Sequence, residues 1–394
     1  MRKSDEGNTT REIYFDQASS SFPKAPGVGK AMEEMLRRDA VNIGRGSYRS
    51  AYALLEQVMD ARDHLLNLFH APGDTALCYT AGATAALNQF IFGYLKPGDH
   101  VIVSSVEHNA VMRPLCEMQK RGVSVTIAEC DRDGTLEPQK IEDAVRQETR
   151  AVICTHASNV CGTILPIAEI GEICRKRGLF FAVDAAQTAG ILPIDMERMQ
   201  IDFLAFPGHK GLRGPQGIGG FAVRKELEEQ MTPLMFGGTG SRSDSEEQPD
   251  FLPDKFESGT LPLPAIIGLD AAVLQLTPER IAEIRRHECI LSERFLRGIT
   301  GLSGARAVGI ADPARTGERV GVISLDFPSR DNALAAFALE QEGIFTRVGL
   351  HCAPRAHKTL RTFPQGTVRF SFGISNTEEE IDTALAAIKH ILKE

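Results

Sequence analysis

Short apolar runs along this chain are separated by stretches whose apolar residues recur every three or four positions, the two periods expected of strands and amphipathic helices. Residues 13–18 predict a short strand, and 28–38 and 52–69 predict helices. Strand and helix patterns then alternate. Strands fall at 76–79, 101–103, 123–128, 151–154 and 180–183, and helices at 85–94, 110–121, 138–147 and 167–177. Such alternation implies a mainly parallel sheet joined by right-handed crossovers. Two more strands, 201–206 and 219–223, flank a small-residue turn.

Residues 236–257 are rich in Gly, Ser, Asp, Pro and Glu and carry neither period, so they predict a long loop of the functional or mobile kind. Beyond it the text reads as a helix at 279–296, a strand at 322–327, a helix at 333–342, a strand at 367–372 and a helix at 378–392. The expected organisation is an N-terminal segment (1–16) packed with the small domain, a large domain (17–257) and a small α/β C-terminal domain (258–394). No internal repeat or low-complexity tract is visible.

Composition narrows the function classes. A chain of 394 residues has room for two or three domains, and 42% hydrophobic with 24% charged residues is the balance of a globular protein in water. A net charge of -8 gives no attraction to nucleic acid or anionic membranes. No apolar run approaches a membrane span, and Met1 to Glu6 has no apolar core behind its charges, so a cytoplasmic protein is expected. The eight cysteines form no C-x-x-C pair and no zinc-like spacing, so no metal site is expected. The stretch 27–30 glances at a phosphate-binding P-loop but lacks its first glycine, and Ala31 follows the lysine.

Candidate chemistry gathers where strands end. Ligands of open α/β sheets sit outside the carboxyl ends of the strands, and Thr84, His108, Asn159 and Asp184 each fall just after one. Lys210 follows His209 in the turn Phe206-Pro207-Gly208-His209-Lys210. Alone, an aspartate at a strand end or a lysine in a turn is ordinary. Together they suit an enzyme using pyridoxal 5'-phosphate (PLP), in which the lysine carries the cofactor aldehyde and the aspartate pairs with the pyridine nitrogen. That task needs a partly neutral lysine and an ionised aspartate.

Other residues take roles around that pair. The turn at Gly82 aims free backbone N–H groups at an anion above it, with the Thr84 hydroxyl added, which makes a phosphate cradle. A neutral His108 stacks on a flat ring and passes protons. Asn159 either bonds the ring's phenolic oxygen or closes a simple Asx turn; Gln187 donates to the same oxygen, and His209 reaches the phosphate. Arg369, a charge inside an alternating strand, suits a bidentate clamp on a substrate α-carboxylate. Cys352 lies in a Gly/Pro-bounded segment beside His351 and is either a nucleophile or a chance loop thiol.

In order and combination, the markers 80–84, 107–109, 158–159, 183–187, 208–210, 258–260, 351–353 and 368–369 resemble the class V aminotransferase group of fold-type I PLP enzymes. The likeness is strongest to the cysteine desulfurase and selenocysteine lyase branch, and it runs from about Tyr14 to the last helix. It implies a PLP-dependent transferase fold with a seven-stranded-type sheet, and a homodimer. Lys210 would bind the cofactor aldehyde, Asp184 the pyridine nitrogen, and His108 would stack. Thr84 and His209 would hold the phosphate, joined by Gly259 and Thr260 from the partner subunit. Arg369 and Asn159 would hold the substrate carboxylate, and Cys352 would take the sulfur as a persulfide.

The implied reaction converts L-cysteine to L-alanine, with a sulfur-acceptor protein as a possible partner. Selenocysteine lyase or another C–S lyase, a class V aminotransferase and an inert sulfur-relay protein are the alternatives. Two positions depart from the pattern. Pro207 replaces a hydroxyl residue three before the lysine, and Ala83 stands in the phosphate turn where a second threonine is frequent. Each removes a hydrogen bond worth about 1.5–3 kcal/mol if nothing compensates.

Overall fold

The computed structural model describes residues 12–44, 46 and 48–393; residues 1–11 of the expected N-terminal segment, with Arg45 and Ser47, lie outside the described residues. At its centre is a seven-stranded sheet in the order Thr75–Thr80, Gly219–Arg224, Phe203–Pro207, Phe180–Asp184, Thr149–Thr155, His100–Ser104, Ser124–Ala128. Gly219–Arg224 runs against the direction of the other six strands, antiparallel to both its neighbours. The central strands read as unbroken apolar runs because helices cover both faces; every residue of Phe203–Pro207 is buried.

Register fixes where the strands stop. Thr155 pairs with Asp184 and Asp184 with Ala205, which brings three strand ends level. Phe69 against Phe206 on one face and Phe90 against Phe203 on the other, ring centroids 5.2 and 5.1 Å apart, anchor the two layers of helices.

The second unit is an antiparallel four-stranded sheet, Arg347–Gly349, Thr367–Ser371, Val322–Asp326, Arg306–Val308. Helices Pro278–Ile299, Asn332–Gln341 and Glu378–Ile391 accompany it. The last begins in a capping box, Thr377 with Glu380, which satisfies two end donors reciprocally. Ile13–Tyr14 pairs in parallel with Ile344–Phe345, so this strand is stitched to the second unit.

Four differences from the sequence reading have physical causes. Residues 13–18 form a strand only over Ile13–Tyr14, because the chain turns at Asp16, whose carbonyl accepts from the Ser19 and Ser20 amides. The helix read at 138–147 is confined to Gln139–Asp143, since the Thr149 hydroxyl captures the Arg146 amide at 2.7 Å and bends the chain toward the next strand. Helix Leu263–Val273 was not predicted: it is apolar nearly all round and has no amphipathic period. It packs on helices Val28–Arg38 and Arg49–Leu68, and a Cβ at Gly268 would lie 2.7 Å from Met32 Cγ, so glycine sets the close approach. Its core is therefore the large unit's, beyond the expected boundary at 258. Pro278–Ile299 then spans both cores, with Ile281 and Ile284 in one and Leu291 and Phe295 in the other.

Candidate active site

The level strand ends open into a cavity of about 530 Å³ lined by Gly82, Ala83, Thr84, His108, Thr155, Asn159, Asp184, Gln187, Pro207, His209 and Lys210, among others. Its floor is the sheet edge. Its wall is the N-terminus of helix Ala83–Tyr94, entered through Gly82 at φ 140°, a backbone that L side chains rarely adopt, with open space where a Cβ would project. First-turn amides and the Thr84 hydroxyl there suit an anion.

Burial dominates the electrostatics. Asp184 is 3% exposed and accepts from the Ala186 amide at 2.9 Å; desolvation raises its pKa, while that amide and Lys210 oppose the rise. Desolvation also lowers the Lys210 ammonium pKa to about 8, against the pull of Asp184 and with the help of Arg369 and Arg347. The amine thus reaches half neutrality near pH 8 rather than above 10, and Asp184 would be held ionised by a cationic N–H placed opposite it.

His108 caps helix Asn109–Lys120, its Nδ1 accepting from the Ala110 amide at 3.0 Å. Burial, then Lys210 and nearby arginines, push its pKa down to about 4. The ring is therefore neutral with its proton on Nε2, a donor and a flat face rather than a base. His209 is neutral for the same reason, with a pKa of about 4 and a buried Nδ1 that has no hydrogen-bond partner. Its carbonyl is taken by the Ser21 amide and Lys24 Nζ, both at 3.0 Å.

The Cys352 loop docks on this cavity without its thiol being part of the lining. The Asn159 amide donates to the His351 carbonyl at 2.7 Å, and the Asn109 amide to the Cys352 carbonyl at 2.8 Å. His351 and Cys352 are both in the left-handed region, φ 47° and 56°, where side-chain-bearing residues are strained, and these bonds offset that cost. Cys352 is exposed, whereas His351 is buried and bonds Thr367 Oγ1 at 3.0 Å.

Other expected residues are placed differently. Arg369 is 2% exposed, is not part of the cavity lining, and is engaged by Asp16 at 2.8 Å. Gln187 lines the cavity, with its Nε2 donating to the Ala18 carbonyl at 3.2 Å. Gly259 and Thr260 line a separate cavity of about 450 Å³ together with Leu55, Met59 and Arg62.

Glu107, inside the marker 107–109 but without a role of its own there, also supports the site. It is fully buried, accepts from Ser104 Oγ and from the Thr155 amide at 2.8 Å, and leaves Oε2 without a partner. Burial raises its pKa to about 8, so it ties the His108 turn to the neighbouring strand as a neutral acid. Its only signal was its place beside His108. Asp16 and Ser19 were missed, having nothing local to mark them.

A parallel-centred sheet with a buried lysine and aspartate at its carboxyl edge, and a second α/β unit closing over them, is the architecture of the fold-type I transferases. Within them, the chain belongs to the class-V aminotransferase family, whose model matches residues 13–384. It is 34% identical over 94% of its length to a probable cysteine desulfurase of Methanothermobacter thermautotrophicus, covering 92% of that protein. To the cysteine desulfurase IscS of Vibrio atlanticus it is 32% identical, with 96% and 92% covered. The apo structure of a cysteine desulfurase from Thermococcus onnurineus NA1 superposes with a TM-score of 0.89 at 29% identity, covering 97% of this chain and 95% of that one. Among the described residues no cluster suited to a metal ion occurs, and no helix is long and apolar enough to cross a membrane.

Proposed function

We propose that the protein is a PLP-dependent cysteine desulfurase that converts L-cysteine to L-alanine and takes the sulfur onto Cys352 as a persulfide. The observation that carries this reading is one cavity holding a half-neutral lysine and a buried carboxylate, with a thiol-bearing loop hydrogen-bonded to its edge. The residues fit PLP. Asp184 supplies the counter-charge for a pyridinium, His108 a neutral face, and Lys210 an amine for the aldehyde. The helix terminus at Ala83 and Thr84, with the unpartnered His209 Nδ1, suits the phosphate, and Asn159 and Gln187, which line the same cavity, would hold the ring's phenolic oxygen. When bound, the cofactor supplies an electron sink for the cleaved Cα–H bond.

The chain's own groups do the rest. Lys210 Nζ, neutral in a useful fraction near pH 8, accepts the Cα proton and returns it. The Cys352 thiolate attacks the substrate Sγ; the S–S bond forms as the Cβ–Sγ bond breaks, and the carbon fragment takes a proton and leaves as alanine. His108 Nε2–H would be the donor available to negative charge developing on the substrate. The exposure of Cys352 leaves the persulfide open to an acceptor.

A homodimer completes the reading, with Gly259 and Thr260 serving the partner's phosphate. Helix Arg49–Leu68 and the residue before it leave Tyr48, Tyr52, Leu55 and Met59 exposed beside the cavity that Gly259 and Thr260 line, a face suited to a second copy. Eight free cysteines, five of them buried, suit a reducing cytoplasm. The test is alanine release from L-cysteine by the cofactor-loaded protein. Cys352→Ala should retain the cofactor's absorbance and lose at least about a hundredfold in rate; undiminished turnover would rule out the thiol's role.

A further inference from the structure

Two arginines of the small sheet face each other across adjacent strands, Arg347 paired with Arg369; both donate to the Ser19 hydroxyl, and Arg369 pairs with the Asp16 carboxylate. Arg369 Nη2 donates to Asp16 Oδ1 at 2.8 Å and to Ser19 Oγ at 2.7 Å, and its Nη1 donates to the Asn159 carbonyl at 3.0 Å. Arg347 Nη1 donates to the same Ser19 hydroxyl at 2.9 Å. That hydroxyl donates in turn to Asp16 Oδ1 at 2.7 Å. Arg369 Nε is buried and has no partner.

We propose that Asp16 is a specificity-determining residue: its carboxylate holds the Arg369 guanidinium in the resting chain and gives way to the α-carboxylate of an incoming amino acid. The inference rests on the reading of the Lys210 cavity as an amino-acid site.

The geometry requires an exchange rather than an addition. A carboxylate grips arginine through two parallel N–H groups, and the unpartnered Nε offers one. Its neighbour in a side-on grip, Nη2, is the nitrogen Asp16 occupies, so a bidentate grip needs Asp16 to let go. The two partners are unequally free to move. The Arg369 side chain is 3% exposed and the Asp16 side chain 21%, so the carboxylate has water within reach and the guanidinium does not. Asp16 lies where regular structure stops, in a turn closed by the Ser19 and Ser20 amides, so its side chain can swing without breaking a strand.

The exchange also sets selectivity. A ligand without a carboxylate offers nothing to replace Asp16 and would leave the buried Arg369 guanidinium without its anion. An amino acid replaces one anion by another and keeps the charge balanced. Affinity for the substrate carboxylate is therefore a difference between two similar interactions, and removing the internal competitor should raise it.

The test is Asp16→Asn, which keeps the shape and removes the charge, compared with wild type as cofactor-loaded protein. KM for L-cysteine and Kd for L-alanine, the latter by calorimetry, should both fall roughly tenfold, with kcat changed much less. Ser19→Ala, which frees Asp16 from its hydroxyl donor, should shift both the same way by a smaller factor and serves if Asp16→Asn fails to fold. Unchanged or raised KM and Kd would overturn the proposal, because Asp16 would then only orient Arg369. A wild type that binds L-alanine but leaves L-cysteine intact would unseat the desulfurase reading instead, and the calorimetric comparison would still decide the role of Asp16.

Discussion

Glu107, His108, Asp184, His209 and Lys210 each owe the direction of their pKa shift to desolvation before any partner. Lys210 shows the consequence for stability. Its folded pKa is about 8 against an unfolded value of 10.5, so between those values the unfolded chain holds a proton that the folded chain has lost. Stability of the cofactor-free protein therefore rises with pH across that window, and the full penalty applies below it. Lys210→Met should stabilise the cofactor-free protein at pH 7 by on the order of 3 kcal/mol. The gain should shrink steadily between pH 8 and 10.5. Denaturant titrations at pH 6, 8 and 10 check it; a gain that stays constant with pH would mean that packing, not charge, is the cause. The same balance explains which site residues were legible in the sequence. Thr84, His108, Asn159, Asp184 and Lys210 are strand-end or turn residues, and the sheet's own register gathers them at one cavity. Asp16 and Glu107 matter through partners 353 and 48 positions away in the chain, which no local pattern encodes.

At the scale of elements, the amphipathic period located Val28–Arg38 and Ile167–Arg177 with the boundaries observed. It missed Leu263–Val273, which buries most of its surface between other helices, and the short strands Arg306–Val308 and Arg347–Gly349, whose pairing comes from neighbours rather than from their own residues. Helix Arg49–Leu68 depends on a feature that was also invisible in the sequence. Arg62 makes a buried bidentate pair with Glu257, at 2.7 and 2.6 Å, and donates to the Leu77 carbonyl at 2.7 Å. The pair ties the helix to the edge strand Thr75–Thr80 and to the end of the long loop. Removing one partner strands a buried charge, so Glu257→Leu should cost about 3–5 kcal/mol, while Arg62→Met with Glu257→Leu should recover much of that loss. Thermal unfolding of the two variants separates this from a surface pair, for which the single change would be nearly silent.

Helix Pro278–Ile299 joins a core of the large unit to that of the small one, and strand Ile13–Tyr14 is paired into the second unit. The N-terminal strand thereby carries Asp16 to Arg369, linking the small unit to the chemistry of the large one. The exposed face of Arg49–Leu68 belongs to this scale too. Light scattering should give a particle of twice the chain mass, and Met59→Glu should shift it toward monomer with weakened cofactor retention; a stable monomer that keeps its cofactor would remove the role given to Gly259 and Thr260. Whether sulfur leaves cysteine for Cys352 is read by intact-mass and peptide spectrometry after one turnover with L-cysteine. One added sulfur atom is expected on the peptide carrying Cys352, removed by a thiol reductant and matched by an equal amount of alanine. Alanine formed with no sulfur on Cys352, or sulfur only on another cysteine, would contradict it.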